Sequence, residues 1–560
     1  MTGKRPTEAD IIIVGAGPTG LLLANLLGTM KVDCLVLERN SSTVDEPRAV
    51  SLDDESMRAL QAAGLDEKVS RLTARGYGSL YRAPSGRVFA SVKPSARDYG
   101  FEKRNAFQQP ELEALLRDAL TQHASVAVRF DTEVVGIEQG SGKVTVHAHN
   151  DGNDASFLAR YVVACDGGRS TIRRHLDVPM VGSTFEEPWL IVDLAETQNR
   201  CFHTEVFCDP KRSGITLPGP GGIRRYEFKL NAGETVEQAE TESFARALLR
   251  SVGPDGDAPM RRLKVYTFHA RTAETWRDGR VLLAGDAAHL TPPFAGQGMN
   301  SGLRDAHNLA WKLHEALSTS DAEELLASYQ VERKPHAWAM IELAMRMGQV
   351  MMPSSPFKGW ITRTGFRALR LFGPASDYVT QMRYKPKPRF AAGMVVPDGR
   401  LPKRSAVGRM LPQPLVDTVS RDRVLLDVVL PDKPTVLIFD QRPDECIKSD
   451  SLEAIRSAGA EVVGLTPESV NPVDAAFPIV RDHSRLFASK PFCDYLGHAL
   501  LVRRDRYVMA AKPAAQAEEL VALIARLSPG GLLAAAKGQE NHHKPQKPTA
   551  EKLREEQQCA

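Results

Sequence analysis

The stretch from residue 10 to residue 38, DIIIVGAGPTGLLLANLLGTMKVDCLVLE, restricts the fold more than any other part of the chain. The apolar run Ile11 to Val14 predicts a strand that is buried on both faces of a parallel sheet. Leu21 to Leu27 predicts a buried helix, and Val32 to Leu37 predicts a second buried strand. The chain therefore begins with a strand–helix–strand unit of the Rossmann type.

Three glycines lie where the first strand turns into the helix, at positions 15, 17 and 20. In such a turn the first glycine permits the tight bend, the second lets the backbone approach a pyrophosphate, and the third lets helix and strand pack closely. The helix start offers unpaired N–H groups to phosphates, and Glu38 at the end of the second strand can accept from ribose hydroxyls. An acid at this place favours FAD or NAD over NADP.

Two other interpretations of this segment are open. A buried turn of this kind can exist without any ligand, although the strand, the glycine spacing and the terminal acid together disfavour that. A signal peptide is the second alternative, because Lys4 and Arg5 precede an apolar run. Asp10 and Asn25 interrupt that run, and no small-residue cleavage site follows.

Length and composition describe an ordinary globular protein. The 560 residues suggest three or four folding units, 25% are charged and 42% are hydrophobic. A net charge of +3 gives no indication of nucleic acid, and no apolar run has the length of a membrane span. The seven cysteines show neither C-x-x-C nor zinc spacing, so we expect reduced thiols, no metal site and a cytoplasmic location.

A second glycine-rich loop follows the predicted strand Arg280 to Ala284. It reads GDAAHLTPPFAGQGMN and leads into a helix with apolar residues at helical spacing. A glycine-rich loop that feeds a helix is again a site for an anion or a dipole. Asp286, at the strand end, is placed to hold a hydroxyl group, although it can also serve as a cap for the next turn.

Between the two glycine segments the pattern changes. Residues 182–270 show short alternating runs separated by proline and glycine clusters, which predict an antiparallel sheet with one helix at about 236–250. The methionine-rich piece 340–352 indicates core packing. The fold class is therefore α/β, with a Rossmann-type FAD-binding domain, an inserted antiparallel-sheet substrate domain, a helical segment and a C-terminal domain. The expected boundaries are 8–180 with 272–345, 181–271, 346–420 and 421–530, followed by a disordered tail at 531–560.

Three segments at these separations resemble the class A flavoprotein aromatic hydroxylases, the monooxygenase family that includes para-hydroxybenzoate and phenol hydroxylases. They are G-A-G-P-T-G at the first turn, C-D-G-G-R-S at 165–170 and the A-G-D-A-A-H to G-Q-G-M-N segment. Further segments, including P-R-A-V-S-L-D-D-E-S-M-R, R-N-A-F-Q-Q-P and Y-T-F-H-A-R, resemble the branch that hydroxylates 3-(3-hydroxyphenyl)propanoate. That branch carries a thioredoxin-like extension, which here lacks C-x-x-C and is therefore expected to be structural or oligomeric.

The resemblance implies FAD as cofactor, with NADH or NADPH as transient reductant. The residues it implies at the cofactor are Gly15, Ala16, Gly17, Pro18, Thr19, Gly20, Glu38, Arg39, Arg48, Gln109, Val134, Asp166, Gly167, Gly285, Asp286, Pro293, Gly296, Gln297, Gly298, Met299 and Asn300. Asp166 and Gly167 match a segment that the family uses for both FAD and the reducing nicotinamide nucleotide. Pro293 and the backbone of 296–300 would lie against the isoalloxazine ring.

The implied reaction is hydroxylation of a phenol ortho to its hydroxyl group to give a catechol, in aromatic catabolism. Arg225, Tyr226, His269 and Arg271 are candidates for phenol activation or carboxylate binding by position only. The expected partners are the phenolic substrate and O2, with no nucleic acid and no membrane span; a homodimer is left open. The alternatives are an FAD-dependent hydroxylase of another aromatic or polyketide-like substrate, and a non-hydroxylating flavin reductase or scaffold. A flavin-dependent halogenase is disfavoured because W-x-W-x-I-P is absent.

Overall fold

The computed structural model describes residues 7–527 except 44, 151, 186, 319–321 and 474. The described chain forms two compact units. The first comprises residues 7–317, 323–395 and 408–414, and the second comprises 318, 322, 396–407 and 415–527. The predicted tail at 531–560 lies outside the described residues, and the four domain boundaries stay predictions.

An eight-stranded sheet forms the centre of the first unit. Its first strand, Glu8–Val14, lies between two parallel neighbours, Cys34–Leu37 and Asn153–Ala164. The main path across the sheet is Arg277–Asp278, Val281–Leu283, Asn153–Ala164, Glu8–Val14, Cys34–Leu37 and Val126–Arg129. The strands Thr132–Gln139 and Val144–Asn150 extend it as antiparallel partners of the long strand. The predicted Rossmann-type α/β fold is confirmed.

The ends of the parallel strands determine where the site lies. The residues that directly follow three of these strands are Gly15, Cys165 and Ala284, and Glu38 follows the fourth. Since parallel strands end at one edge of the sheet, segments far apart in sequence meet there. The helices of this region are Pro18–Thr29, Asp54–Ala62, Asp66–Arg71, Gln109–Ala119, Thr171–His175 and Gly298–Leu317.

A seven-stranded sheet forms the second layer of this unit. In order, its strands are Met260–Tyr266, Trp189–Leu194, Arg224–Lys229, Gly214–Pro218, Thr204–Phe207, Ser79–Arg82 and Val88–Val92. All neighbouring pairs are antiparallel except Thr204–Phe207 with Ser79–Arg82. One face buries Leu190, Tyr226 and Phe228 in an apolar cluster beneath the helix Glu242–Val252.

The single helix predicted at 236–250 is wrong, because two helices occupy this stretch. Val236–Ala239 ends before Thr241, whose side chain accepts from the Phe244 N–H and starts the helix Glu242–Val252. Thr235 forms a complete capping box with Gln238 at the first helix. Two threonines that each act as a helix N-cap therefore divide the segment.

Two small sheets and three helices complete the first unit. Asn105–Ala106 pairs with both Ser51–Leu52 and Ala74–Arg75, and His269–Ala273 pairs with both Met180–Thr184 and His289–Leu290. The helices Glu323–Met351, Pro356–Leu369 and Gly373–Thr380 follow. Among the residues described, no helix is both long and apolar enough to cross a membrane.

The second unit contains its own seven-stranded sheet. Thr435–Phe439, Glu461–Thr466 and Ile479–Asp482 are parallel, and the hairpin His498–Val502 with Val508–Pro513 is antiparallel to the first of them. Leu415–Asp417 and Val424–Leu425 extend the other edge. Its helices are Leu426–Val429, Pro443–Cys446, Ser449–Ser457 and Val521–Ile524. Cys446 and Cys493 are free thiols. The thioredoxin-like assignment stays a prediction.

Candidate active site

A cavity of about 530 Å³ lies in the first unit, between the carboxyl edge of the parallel sheet and the seven-stranded sheet. Its volume is in the range that small-molecule sites usually have. Predicted cofactor residues form one end of its wall, and apolar and aromatic side chains form the other.

The three glycines of the first turn have three different environments. Gly15 has a φ of +104°, which L side chains rarely adopt, and a Cβ there would lie 2.5 Å from the Cys165 carbonyl oxygen. A Cβ on Gly20 would lie 2.1 Å from the Gly15 carbonyl oxygen. A Cβ on Gly17 would meet no atom of the described residues within 4 Å. Gly15 and Gly20 are therefore required by the fold itself, whereas the backbone at Gly17 is open toward the cavity.

The helix that follows this turn begins without a side-chain cap. Its N-cap residue is Gly17, and Pro18 occupies the first helical position. The N–H groups of the first turn of a helix have no partner within the helix, so this end can bind an anion. Glu38 supports the turn, since its carboxylate accepts from the Ala16 N–H at 2.8 Å and from the Asn40 N–H at 2.9 Å.

Asp286 follows the strand Val281–Leu283 and points into the cavity. Its side chain is exposed there, yet the surrounding protein desolvates the carboxyl group and raises its pKa. Among the described residues, no group forms a hydrogen bond with this carboxylate. Gly285 packs on the first turn instead, because a Cβ at that position would lie 2.7 Å from Thr19 Oγ1. The two glycine segments thus meet, as the sequence predicts.

Asp166 has one oxygen occupied and one free. Oδ2 accepts from the N–H groups of Thr171 and Ile172, at 2.7 and 3.2 Å, and so caps a short helix. Oδ1 is buried and has no hydrogen-bond partner among the described residues, and burial raises the pKa of this carboxyl group. Asp286, for which the sequence leaves a capping role open, makes no such bond at its own turn among the described residues.

The loop before the helix Gly298–Leu317 is fixed by Asn300. Its Nδ2 donates to the carbonyl oxygens of Ser51, at 2.9 Å, and Gly296, at 2.7 Å, while Oδ1 accepts from the Asp53 N–H at 3.0 Å. Gly296 has a φ of +62°. Pro293, Gly296, Gln297, Gly298 and Met299 line the cavity, whereas Asn300 does not.

The remaining predicted cofactor residues lie along the same wall. Arg39, Val134, Gly167 and the largely exposed Arg48 line the cavity. Gln109 lines it too, and its side chain accepts from the Ala49 N–H at 2.6 Å and donates to Glu113 at 2.7 Å. Within the described part of the chain, three observations fit FAD: the backbone at Gly17 is open, the helix start has no side-chain cap, and the Asp286 carboxylate has no hydrogen-bond partner.

The predicted substrate candidates divide into two groups. Arg225 and His269 line the cavity. Tyr226 does not, because successive residues of a strand point to opposite faces, and its hydroxyl group donates to Asp255 Oδ2 at 2.8 Å beneath the sheet. Arg271 is also absent from the cavity wall, since it lies in the three-stranded sheet opposite Leu290. The structure therefore does not place Tyr226 and Arg271 on the cavity wall, and their proposed roles at the substrate stay predictions.

Several lining residues escape the sequence analysis. Arg104, Glu227, Met347 and Met351 all face the cavity. Glu227 has a local signal, because it lies two residues after Arg225 on one strand and so shares its face. Burial raises the pKa of Glu227 to about 7. The methionine-rich piece serves two purposes, since Met340 is core, as predicted, whereas Met347 and Met351 form cavity wall.

Sequence comparison shows the class of the protein. The family described as "FAD binding domain" matches residues 8–344, and a second family, "HcaD C-terminal domain", matches residues 408–527. The chain belongs to the FAD-binding domain family of flavoprotein monooxygenases, and it is an FAD-dependent aromatic hydroxylase. FAD is therefore its cofactor, which confirms the prediction made from the glycine turn, and NADH or NADPH is the typical reductant of this class.

Curated relatives narrow the likeness further. A protein of Klebsiella pneumoniae named 3-(3-hydroxy-phenyl)propionate/3-hydroxycinnamic acid hydroxylase is 39% identical over 82% of this chain and 83% of its own length. One of Shigella sonnei with the same name is 36% identical over 90% and 92%.

Solved structures share the fold. The anhydrotetracycline hydroxylase OxyS from Streptomyces rimosus is 26% identical, with a TM-score of 0.70 over 93% of this chain and 99% of its own. The flavin-dependent monooxygenase PieE has a TM-score of 0.77 at 21% identity, with coverage of 93% and 99%.

Proposed function

We propose that this chain hydroxylates 3-(3-hydroxyphenyl)propanoate, or a similar phenol with a short carboxylate side chain, ortho to its hydroxyl group to give a catechol. Dioxygen is the oxidant, and NADH or NADPH is the reductant. The observation that carries the proposal is the identity of 36–39% to hydroxylases of that name over 82–93% of the chain. The cavity wall supports the proposal, because it combines apolar and aromatic side chains with polar groups such as Glu227 and His269.

The cofactor end of the cavity supplies placement and charge. The open backbone at Gly17 and the uncapped helix start would hold the pyrophosphate of FAD, Glu38 the adenosine ribose, and Asp286 a hydroxyl group of the ribityl chain. The N–H groups at the start of the helix Gly298–Leu317 would face the flavin ring and favour negative charge there. FAD held by these residues would supply the redox chemistry of the reaction, which is acceptance of a hydride from the nicotinamide and activation of dioxygen.

The apolar end of the cavity excludes water from the substrate. Phe294 packs against Trp189 and Phe268, with ring centroids 5.4 and 6.2 Å apart. Met347 and Met351, from the helix Glu323–Met351, complete this wall. A dry site protects a reactive intermediate from hydrolysis, and an aromatic ring matches these apolar surfaces.

Two groups on the wall can accept the proton of a phenol. His269 Nδ1 lies 3.0 Å from Thr184 Oγ1, and burial lowers the pKa of the ring and so favours its neutral form. In the tautomer whose Nδ1–H donates to Thr184, Nε2 is the atom that can take a proton. Glu227 is buried, and its raised pKa of about 7 lets it exchange a proton near neutral pH. Removal of the phenolic proton makes the ring more electron-rich, as attack by an electrophilic oxygen requires.

The test is NAD(P)H oxidation and oxygen uptake by the purified, FAD-loaded protein with a panel of phenols. The panel contains 3-(3-hydroxyphenyl)propanoate, 3-hydroxycinnamate, 3-hydroxybenzoate, phenol and anhydrotetracycline. We expect the phenylpropanoate to give the highest kcat/KM and a catechol with one added oxygen atom. Peroxide measured in parallel separates coupled hydroxylation from simple oxidase activity. Oxidation without an oxygenated product from any phenol would contradict the proposal and favour a reductase.

A larger aromatic substrate is the second candidate, supported by the 26% identity to OxyS over 93% of the chain. Preferential turnover of anhydrotetracycline in the same panel would establish it. A cytoplasmic location and a homodimer belong to the proposal as well. The six described cysteines, all free thiols, support the location, and light scattering of the purified protein tests the dimer.

A further inference from the structure

Arg104 lies at the apolar end of the cavity among three hydroxyl groups. Its guanidinium group donates to Tyr77 Oη at 3.2 Å, to Thr204 Oγ1 at 3.4 Å and to Ser79 Oγ. The guanidinium carbon also lies 4.3 Å from the centroid of the Tyr77 ring. Tyr77, Ser79 and Thr204 are buried, with 0%, 4% and 1% of their surface exposed, and all four residues line the cavity.

No described carboxylate lies within ion-pair distance of Arg104. Two other cations of the cavity wall have a counter-ion: Arg225 pairs with Asp193 at 2.6 Å, and Lys385 pairs with Glu55 at 2.7 Å. A partly buried guanidinium group without an anion is energetically unfavourable. The planar guanidinium group can bind a carboxylate through two parallel hydrogen bonds. The charge of Arg104 therefore lacks a counter-ion that a ligand can supply.

The hydroxyl groups of Tyr77, Ser79 and Thr204 can donate hydrogen bonds to the same ligand. Each accepts a hydrogen bond from Arg104, and within the described structure none of their protons has an acceptor. A hydroxyl group can donate one hydrogen bond while it accepts others. One cation and three free donors therefore converge on the same part of the cavity, as an oxyanion would require.

The surface next to Arg104 is apolar and has a polar group beyond it. Val206, Ile215 and Leu217 form an apolar floor on the two strands next to Ser79–Arg82. Glu227 lies one strand beyond Ile215, two strand spacings or about 10 Å from the strand of Thr204. Its carboxyl group would repel a carboxylate but accept from a hydroxyl group. The two ends of the floor thus differ in polarity, as the two ends of a phenylpropanoate do.

We infer that Arg104, together with the hydroxyl groups of Tyr77, Ser79 and Thr204, binds the carboxylate of the substrate side chain. The inference rests on the proposed function and explains the enzyme's preference for phenolic acids by the interaction of their carboxylate with Arg104. The ring of the substrate then lies on the floor of Val206, Ile215 and Leu217, with its hydroxyl group toward Glu227.

The experiment compares two ligands that differ only in the acid, 3-(3-hydroxyphenyl)propanoate and 3-propylphenol. Their Kd values are measured by the change in flavin absorbance of the holoenzyme, and their kcat/KM values by product formation. The Arg104→Met variant should raise the Kd of the acid about 100-fold and change that of 3-propylphenol less than about 3-fold. Arg104→Lys keeps the positive charge, so its Kd for the acid should lie between those of the parent and of Arg104→Met. Arg97→Met, at an exposed arginine paired with Glu102, is the charge-matched control and should behave as the parent.

Flavin content and circular dichroism show whether each variant is folded. If Arg104→Met does not fold, the ratio of Kd values for the two ligands is measured with Arg104→Lys. Equal loss for both ligands, or no loss of discrimination in either variant, would overturn the role of Arg104. A parent enzyme that hydroxylates neutral phenols as well as acids would also overturn it, while the proposed hydroxylase activity would stand. If the parent favours another phenolic acid of the panel, that acid and its neutral analogue replace the pair. A parent that hydroxylates no phenol removes both proposals, and so the two failures are distinct.

Discussion

Substitution of the second glycine of the turn separates cofactor binding from folding. Gly17 has φ −77° and ψ −179°, an extended conformation that valine adopts readily, and a Cβ there meets nothing within 4 Å. Valine is a poorer N-cap than glycine, so the apoprotein of Gly17→Val should lose about 1 kcal/mol of unfolding free energy at most. The added side chain nevertheless occupies the space through which a pyrophosphate approaches the backbone.

The expected loss of FAD affinity is much larger. A hydrogen bond from a backbone N–H to a charged group contributes about 1.5–3 kcal/mol. Two such bonds displaced at the helix start cost about 3–6 kcal/mol, which raises the Kd for FAD roughly 150-fold to 20,000-fold. Gly20 provides the contrast, because a Cβ there would lie 2.1 Å from a backbone oxygen. Gly20→Ala should therefore destabilise the apoprotein itself by about 1–3 kcal/mol.

The assay is titration of each apoprotein with FAD, followed by quenching of flavin fluorescence, beside urea unfolding without FAD. The reasoning predicts a stable Gly17→Val protein that binds FAD poorly and an unstable Gly20→Ala protein. If Gly17→Val bound FAD as tightly as the parent, the turn would not hold the pyrophosphate. If both variants were equally destabilised, the distinction between ligand and packing glycines would be wrong.

Three further predictions follow from other parts of the site. Asp286→Ala should be purified with little FAD, because it removes the carboxylate that is proposed to accept from a ribityl hydroxyl group and that has no hydrogen-bond partner among the described residues. A normal ratio of flavin to protein absorbance would remove Asp286 from the site. Asn300→Ala should lower the unfolding free energy by about 2–4 kcal/mol, since it leaves the Ser51 and Gly296 carbonyl groups and the Asp53 N–H without partners; urea unfolding measures this, and a loss below 1 kcal/mol would contradict it. The folded protein holds the Glu227 proton more tightly than the unfolded chain does. The parent should therefore lose up to about 3 kcal/mol of stability relative to Glu227→Gln as the pH rises from about 4.5 to 7. If the difference in melting temperature between parent and variant were the same at pH 5.5 and pH 8, this prediction would be refuted.

The sequence predicts the cofactor end well because its constraints are local. Positions 15, 17 and 20 must be glycine for reasons of backbone geometry and close approach, and these reasons act within a few residues. The Asp286 loop follows a buried strand, and parallel strands must end at the same edge of a sheet. The contact between two segments about 270 residues apart can therefore be predicted from the sequence alone.

The substrate end depends on contacts between distant residues, which no local pattern encodes. Arg104 meets Tyr77, Ser79 and Thr204 only because Ser79–Arg82 pairs with Thr204–Phe207. The alternation of a strand shows that Arg225 and Tyr226 face opposite sides, but only the packing of the helix Glu242–Val252 shows which side is the core. The break in the predicted helix near Thr241 was readable as a capping signal, since a threonine before an acidic residue commonly starts a helix.

The short strand Asn105–Ala106 has a consequence for how new specificities can arise. It is held between Ser51–Leu52 and Ala74–Arg75, and it joins Arg104 at the acid-binding end to Gln109 on the cofactor side. Five positions of chain, ~17 Å when extended, therefore act as a spacer of fixed length between the two ligands. Inserting or deleting one residue would turn the following side chains to the other face of the strand. Enzymes built on this scaffold should therefore acquire longer or shorter substrates by exchanging side chains on the cavity wall, and the length of this spacer should stay constant among them.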